Sequence, residues 1–180
     1  MPFEIGPDWT LFLDRDGVIN IEKNNDYILS WAEFHFYSQS LKALPILAQR
    51  FSRIVVVTNQ KGVGKGLMTE ADLLTIHYNM QAEIALNGGR LDAMYYCTDL
   101  ADDSPRRKPQ PGMAFQAQAD FPAIDFSRSI MVGNRFSDMR FGRQAGMKTV
   151  FLATTHPDLP FPDPLVDARF NDLLAFAEAL

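Results

Sequence analysis

The segment Leu11–Asn20, with the sequence LFLDRDGVIN, is the most informative part of the chain. Residues 9–13 (WTLFL) are almost continuously apolar, which is typical of a strand buried on both faces of a parallel sheet. Asp14 and Asp16 follow this strand directly, and Gly17 permits a sharp turn of the chain. Ligands of open α/β sheets bind outside the carboxyl ends of the strands. The segment therefore predicts a strand whose end carries a functional site.

The two aspartates repel each other unless a cation or a shared proton lies between them. Mg²⁺ prefers carboxylate and carbonyl oxygens and leaves coordination positions for phosphate oxygens. Taken alone, Asp14 and Asp16 are equally compatible with a helix cap and a turn. We expect Arg15, which stands between them, to point to the opposite side of an extended backbone.

Strand and helix patterns alternate along the rest of the chain, with polar loops at residues 21–30, 98–107 and 154–164 and a flexible glycine-rich loop at residues 62–66. This alternation predicts an α/β fold, a single Rossmann-like three-layer domain over residues 1–180 with a parallel central sheet and right-handed crossovers. The further predicted strands are residues 54–57, 91–96, 129–132 and 149–152, and the predicted helices are residues 38–51, 69–88, 112–119, 138–145 and 170–180.

Composition excludes several classes of function. The chain has 180 residues, 47% of them hydrophobic, which is enough for one domain with a real core. A net charge of -5 argues against binding of nucleic acid. One cysteine rules out an intrachain disulfide, and no apolar run is long enough for a transmembrane helix. The first nine residues lack the layout of a signal peptide. We expect a cytoplasmic protein, a monomer or weak homodimer, with a small phosphorylated metabolite as partner.

Four motifs together resemble the haloacid dehalogenase-like phosphatase superfamily. They are DRDGVIN from Asp14, VVVTNQKGVGKG at Val55–Gly66, RRKPQPGM at Arg106–Met113 and MVGNRFSDM at Met131–Met139, in the order that the superfamily shows. The chain is most similar to its histidinol-phosphate and heptose bisphosphate phosphatase branch. The resemblance implies a magnesium-dependent phosphomonoester hydrolase without a large cap domain, which works through an aspartyl-phosphate.

The resemblance also implies roles for individual residues. Asp14 is expected to be the nucleophile, Asp16 the acid and base, and Lys108 the cation that steadies the phosphorylated aspartate. Thr58, with its hydroxyl, and the backbone N–H groups of the two residues after it are expected to hold a phosphoryl oxygen. Predicted substrate contacts are Asn59, Gln60, Lys61 and Arg107, and predicted magnesium ligands are Asp14, the Asp16 carbonyl, Asn134 and Asp138.

The chain departs from the branch at two places. Asn134 stands where the branch usually has an acidic magnesium ligand, so we expect either weaker magnesium binding or reduced catalysis. The zinc loop of the branch is reduced to Cys97, with Ser104 at the second thiolate pair, so we expect no zinc. The three histidines share no spacing, and His77 is expected to be a surface or partly buried polar residue of a helix.

Two hypotheses of function follow. In the first, the chain hydrolyses a small phosphorylated sugar or alcohol, with a heptose bisphosphate as the first candidate because of Arg107, and histidinol phosphate as the second. In the alternative, it is a catalytically weakened or inactive member that binds a phosphate ligand, and Asn134 is the feature that keeps this alternative open.

Overall fold

The structure is a computed structural model and describes residues 4–180. Six strands and six helices alternate through most of the chain, with short 3-10 turns at Trp31–Glu33 and Phe126–Arg128. In chain order the elements are β1 (Thr10–Leu13), α1 (Ser38–Arg50), β2 (Arg53–Asn59), α2 (Lys61–Gly64), α3 (Glu70–Leu86), β3 (Ala93–Cys97), α4 (Gly112–Asp120), β4 (Ser129–Gly133), α5 (Phe136–Ala145), β5 (Lys148–Leu152), β6 (Ala168–Phe170) and α6 (Leu173–Glu178).

All six strands form one parallel sheet with the order β3-β2-β1-β4-β5-β6. β1 lies in the middle, and its last residue, Leu13, is paired with Val56 on one side and Val132 on the other. From β1 the chain adds β2 and β3 on one side of the sheet, and then crosses to the other side of β1 to add β4, β5 and β6. Ligands of such sheets bind where the order reverses, which here is the crevice between the ends of β1 and β4.

Helices cover both faces of this sheet, as the alternating pattern predicts. Leu11 and Leu13 of β1 belong to the core beneath α1, α3 and α6. Phe12, between them, belongs to the core beneath α4 and α5. All three side chains are fully buried, which explains why the strand is apolar at consecutive positions.

Three predictions about elements are wrong. Residues 61–64 form the short helix α2, where a flexible loop was expected. β6 is missing from the predicted elements, because three residues at a sheet edge leave too short a pattern to recognise. The predicted last helix at residues 170–180 is reduced to α6, since its first residue belongs to β6. By contrast, Thr69 and Asp72 form the expected start of α3 through a reciprocal capping box.

The loops after β1, β3 and β5 all lie at the carboxyl end of the sheet. Between residues 14 and 37 and between residues 153 and 167, the described chain contains no sheet strand and no helix longer than one 3-10 turn, so no cap domain is inserted there. Within residues 4–180, no helix has the length and apolar character needed to cross a membrane.

Candidate active site

Lys108 lies between two carboxylates that come from different elements of the fold. Its Nζ lies 2.8 Å from Oδ1 of Asp14, after β1, and 2.7 Å from Oδ1 of Asp138, in α5. It also donates a hydrogen bond of 2.9 Å to the carbonyl oxygen of Val57 in β2. An ammonium group has three donors, so each of them has a separate acceptor. This arrangement fixes the position of the charge at the end of the sheet.

The carboxylate of Asp14 is held on one side only. Oδ1 accepts the backbone N–H of Arg15 at 2.7 Å and contacts Lys108, whereas no described protein donor reaches Oδ2. Burial raises the pKa of Asp14 to about 7, although Lys108 acts in the opposite direction. Burial alone would lower the pKa of Lys108, but Asp138 and Asp14 outweigh it and raise that pKa. Asp14 therefore presents one oriented, poorly solvated oxygen to a ligand.

Asp16 lies within a cluster of donors. Nη2 of Arg15 donates to both oxygens of Asp16, at 2.8 and 2.9 Å, and Asn20 and Gln60 each add a bond of 2.9 Å. Burial would raise the pKa of Asp16, but Arg15 and these hydrogen bonds outweigh it and lower the pKa. In the absence of substrate, Asp16 is consequently an ionised carboxylate.

Arg15 does not point away from Asp16, so our expectation for its side chain is wrong. The carbonyl of Arg15 accepts the N–H groups of residues 18, 19 and 20, which means that the chain turns at once after β1 and is not extended here. The guanidinium is buried, 1% exposed, and its Nη1 lies 3.3 Å from Nε2 of His77 in α3. His77 is buried too, and the expectation of a surface or partly buried histidine is also wrong.

Thr58, Asn59 and Gln60 end β2 next to this cluster. Thr58 is buried, and its hydroxyl accepts a hydrogen bond of 2.9 Å from the side chain of Gln60. Asn59 forms two hydrogen bonds of 3.0 Å with the backbone of Lys108, so its side chain locks the lysine loop onto β2. The expectation that the backbone N–H of Gln60 is free for a phosphoryl oxygen is wrong, because it donates to the carbonyl of Cys97.

The side chains of Asn134 and Asp138 each pack closely against a glycine. A Cβ at Gly17 would lie 2.0 Å from Nδ2 of Asn134, and a Cβ at Gly133 would lie 2.2 Å from Cβ of Asp138. Oδ2 of Asp138 accepts the backbone N–H of Arg135, and Oδ1 forms an ion pair with Lys108 but has no hydrogen-bond partner within residues 4–180. Oδ1 of Asn134 is buried without any hydrogen-bond partner.

This donor set fits a magnesium ion. A free carboxylate oxygen on Asp14, the backbone carbonyl of Asp16 and an unpartnered amide oxygen on Asn134 are the hard oxygen ligands that Mg²⁺ takes. An unpartnered buried polar oxygen is rare in proteins and calls for an unseen ligand. The three groups come from the ends of β1 and β4, on the two sides of the crevice.

A cavity of about 480 Å³ opens above these residues. Its lining includes the predicted site residues Asp14, Asp16, Thr58, Asn59, Gln60, Lys108 and Asp138. Lys61 and Arg107 also line the cavity, and both contact Oδ1 of the exposed Asp102, at 2.8 and 3.2 Å. Nη1 of Arg107 is buried and has no hydrogen-bond partner among residues 4–180. The cavity therefore combines the cluster around Asp14 with two further cations.

Among the residues of this region that were not predicted as site residues, four contact charged groups of the site or of the cavity. Glu22 and Arg135 line the cavity and form an ion pair of 2.9 Å, Asp102 joins the two cations, and His77 supports Arg15. Glu22 and Asp102 lie in polar loops where many charged residues are solvated. Their spacing in the sequence therefore did not indicate that they belong to the site. His77 lies on the side of α3 that faces the core, and the period of the helix contains that information.

The fold and the site together define a phosphatase. Comparisons with known proteins are consistent with this class. Residues 105–158 match the model of a family described as HAD-hydrolase-like. The chain is 34% identical over 176 residues to D-glycero-alpha-D-manno-heptose-1,7-bisphosphate 7-phosphatase from Mycobacterium tuberculosis, an alignment that covers 97% of this chain and 93% of the relative.

Two further relatives agree with this. D-glycero-beta-D-manno-heptose-1,7-bisphosphate 7-phosphatase from Vibrio cholerae is 35% identical over 153 residues, 81% of each chain. The crystal structure of D,D-heptose 1,7-bisphosphate phosphatase from B. bronchiseptica, complexed with magnesium and phosphate, superimposes with a TM-score of 0.82 at 30% identity and covers 95% of this chain and 97% of that one. The chain belongs to the haloacid dehalogenase-like phosphatase superfamily, in the branch of the heptose bisphosphate phosphatases. The family membership predicted from the four motifs is thereby confirmed.

Proposed function

We propose that the chain is a magnesium-dependent phosphomonoesterase that acts on a sugar bisphosphate of the heptose 1,7-bisphosphate type through an aspartyl-phosphate on Asp14. The observation that carries this proposal is that only one oxygen of the Asp14 carboxylate has protein partners. Oδ1 contacts Lys108 and the N–H of Arg15, whereas Oδ2 has no donor among the described residues. A carboxylate held in this way is oriented for nucleophilic attack.

In the first step, Oδ2 of Asp14 forms a bond to phosphorus while the bond from phosphorus to the sugar oxygen breaks. Asp16 gives its proton to the leaving oxygen. Arg15 keeps Asp16 ionised before substrate binds, and Asp16 takes up one proton from solvent when the negative phosphate binds beside it. The aspartyl-phosphate and the free sugar hydroxyl are the products of this step.

In the second step, a water molecule attacks the phosphorus, and Asp16 takes its proton back from that water. The bond between phosphorus and Asp14 breaks and inorganic phosphate leaves. Asp16 then releases its proton to solvent, so both carboxyl groups return to their starting state. Lys108 stays beside Asp14 in both steps and compensates negative charge on the phosphoryl oxygens. Asp138 forms an ion pair with Lys108, and this pair together with the hydrogen bond from the Arg135 N–H favours a role in positioning Lys108 over direct coordination of the metal.

Asp14, the Asp16 carbonyl and Asn134 would hold the magnesium ion, which supplies positive charge to the phosphoryl oxygens when bound. Thr58 lies beside Gln60 at the same end of the cavity and is the expected hydroxyl donor to the phosphate.

Arg107 and Lys61 are the proposed contacts for the second phosphate of the substrate. Both line the cavity that also contains Asp14, and within the described residues the buried Nη1 of Arg107 has no hydrogen-bond partner. A guanidinium and an ammonium on one side of a cavity suit a phosphate dianion. Histidinol phosphate carries one phosphate and a cationic amine, so it would bring no second phosphate to these two cations, which otherwise contact only the exposed carboxylate of Asp102. The structure therefore favours the bisphosphate.

The test is phosphate release from heptose 1,7-bisphosphate, histidinol phosphate and an aryl phosphate, with and without Mg²⁺, by wild type and Arg107→Gln. We expect Mg²⁺-dependent release, with the bisphosphate preferred. Arg107→Gln should raise the KM for the bisphosphate about 10- to 100-fold, the value of a charged hydrogen bond, and leave the aryl phosphate within about twofold. An equal loss for both substrates would contradict the proposed contact.

A silent wild type would support the alternative of a phosphate-binding protein, and release restored by Asn134→Asp would assign the silence to the metal site. We also propose a cytoplasmic location and a monomer or weak homodimer, for which cell fractionation and size-exclusion chromatography are the direct measurements.

A further inference from the structure

The side chain of Asn134 is held in one orientation by two acceptors. Its Nδ2 donates to Oε1 of Glu22 at 3.1 Å and to the hydroxyl of Thr155 at 2.9 Å. Asn134 is fully buried, and its Oδ1 has no hydrogen-bond partner. A rotation of the amide by half a turn would place Oδ1 against the Glu22 carboxylate, which is unfavourable. The two acceptors therefore determine which end of the amide is left for a cation.

Glu22 reaches Asn134 from the loop after β1, although 112 residues separate them in the sequence. Its side chain is only 10% exposed, and its second oxygen, Oε2, accepts Nη2 of Arg135 at 2.9 Å. Glu22 lines the same cavity as Asp14 and Asp138. A carboxylate thus contacts the end of the amide opposite to the unpartnered oxygen.

We propose that Glu22 is a positioning residue of the magnesium site, which holds Asn134 in the orientation that leaves its Oδ1 for the cation. This inference rests on the proposed magnesium-dependent function. The amide and the carboxylate act as a matched pair, because an aspartate at position 134 would bring two carboxylates into contact. The same pair connects the metal site to the loop of residues 21–30.

The experiment measures Mg²⁺ binding by isothermal titration calorimetry, and melting temperature without Mg²⁺, for wild type, Glu22→Gln, Asn134→Asp and the double variant. We expect Glu22→Gln to raise the Kd for Mg²⁺ about tenfold. Without Mg²⁺, Asn134→Asp should melt at a lower temperature than wild type. Glu22→Gln in that background should recover most of the loss, since it restores an amide and carboxylate pair with the roles exchanged.

Asp26→Asn is the matched control, because Asp26 is a carboxylate of the same loop and lines the same cavity, but has no contact with Asn134. It should leave the Kd for Mg²⁺ within about twofold of wild type. The inference is overturned if Glu22→Gln binds Mg²⁺ like wild type, if Asp26→Asn weakens binding equally, or if the two substitutions of the pair are additive in melting temperature.

Asp14→Asn separates this inference from the function on which it rests. If wild type binds Mg²⁺ more tightly than Asp14→Asn, and Glu22→Gln has the same Kd for Mg²⁺ as wild type, only the role of Glu22 is overturned. Wild type that binds Mg²⁺ no better than Asp14→Asn overturns the proposed metal site, and the role of Glu22 with it.

Discussion

Lys108 is the residue on which the electrostatics of the site depend most directly. Its ammonium lies between Asp14 and Asp138, which without it would be two buried carboxylates close to one cation position. Lys108→Met removes the charge that opposes the effect of burial, so the pKa of Asp14 should rise further and less of the nucleophile should be ionised at neutral pH.

We expect kcat for Lys108→Met to fall about 100- to 1000-fold, the usual effect of losing one preorganised cation. Lys108→Arg is the control for charge, because it keeps a cation but its planar fork does not reproduce three separate contacts. A pH profile of kcat shows which effect dominates. Activity of Lys108→Met within threefold of wild type would contradict the role assigned to Lys108.

His77 makes the stability of the protein sensitive to acid. Burial and the neighbouring Arg15 lower the pKa of His77 to about 3 from 6.5. Between these two values the unfolded chain binds a proton that the folded chain does not. Stability from this residue is therefore fully present above about pH 6.5 and is lost as the pH falls. From about pH 7 to 5, the free energy of unfolding should decline less in His77→Gln than in wild type. The difference between the two slopes should be at most about 1.4 kcal/mol per pH unit.

The choice of glutamine keeps an acceptor for Nη1 of Arg15. His77→Leu is the comparison, because it also removes the titrating group but leaves that buried guanidinium nitrogen without an acceptor. We expect His77→Leu to be less stable than His77→Gln at every pH, by about 1 to 3 kcal/mol. Urea unfolding at several pH values measures both effects, and an unchanged acid slope in both variants would show that His77 does not titrate in this range.

At the level of elements, α2, which carries Lys61, packs against the loop of residues 98–107, which carries Arg107. A Cβ at Gly64 would lie 2.0 Å from the carbonyl oxygen of Thr98, so the end of α2 and the loop of residues 98–107 touch through a glycine. Gly62→Ala is the matched control in the same helix, because the nearest atoms to a Cβ there are at ordinary contact distance, 3.4 Å.

We expect Gly64→Ala to destabilise the protein by about 1 to 3 kcal/mol, since two backbone segments must separate. Gly62→Ala should be neutral or more stable by about 0.5 to 1 kcal/mol, because alanine is the better helix residue. Denaturant unfolding distinguishes the two. Equal effects of the two substitutions would contradict the close packing of α2 against this loop.

Elements of the sheet were readable from the sequence where both faces are buried. β1, β2, β4 and β5 carry continuous apolar runs, and the polar residues that follow them fall at one edge of the sheet by topology alone. β6 has three residues, and two of them are only partly buried, so it leaves no such run. α2 contains two glycines in four residues, which local propensity assigns to a loop, and tertiary contacts decide otherwise.

For the molecule as a whole, the sequence was sufficient to predict that the residues of the four motifs come together. It was not sufficient to predict which hydrogen bonds and ion pairs their side chains form. The ordered motifs brought Asp14, Lys108 and Asp138 to one place. The turn that directs Arg15 to Asp16 depends on three backbone bonds to one carbonyl, which no residue type signals. Glu22 reaches Asn134 through a loop without periodicity, so its role became visible only in three dimensions.

The central claim is that Asp14 receives the phosphoryl group. The most direct measurement uses Asp16→Asn with an aryl phosphate and Mg²⁺, followed by rapid acid quench and mass spectrometry of the peptides. An aryl leaving group needs no proton, so Asp14 can still be phosphorylated, but the water that removes the phosphate has lost its base.

We predict that a phosphorylated peptide containing Asp14 accumulates in Asp16→Asn, and that Asp14→Asn forms none and releases no phosphate. Phosphate release by Asp14→Asn would contradict Asp14 as the nucleophile. So would rapid phosphate release by Asp16→Asn with the phosphoryl group on a peptide other than the one containing Asp14.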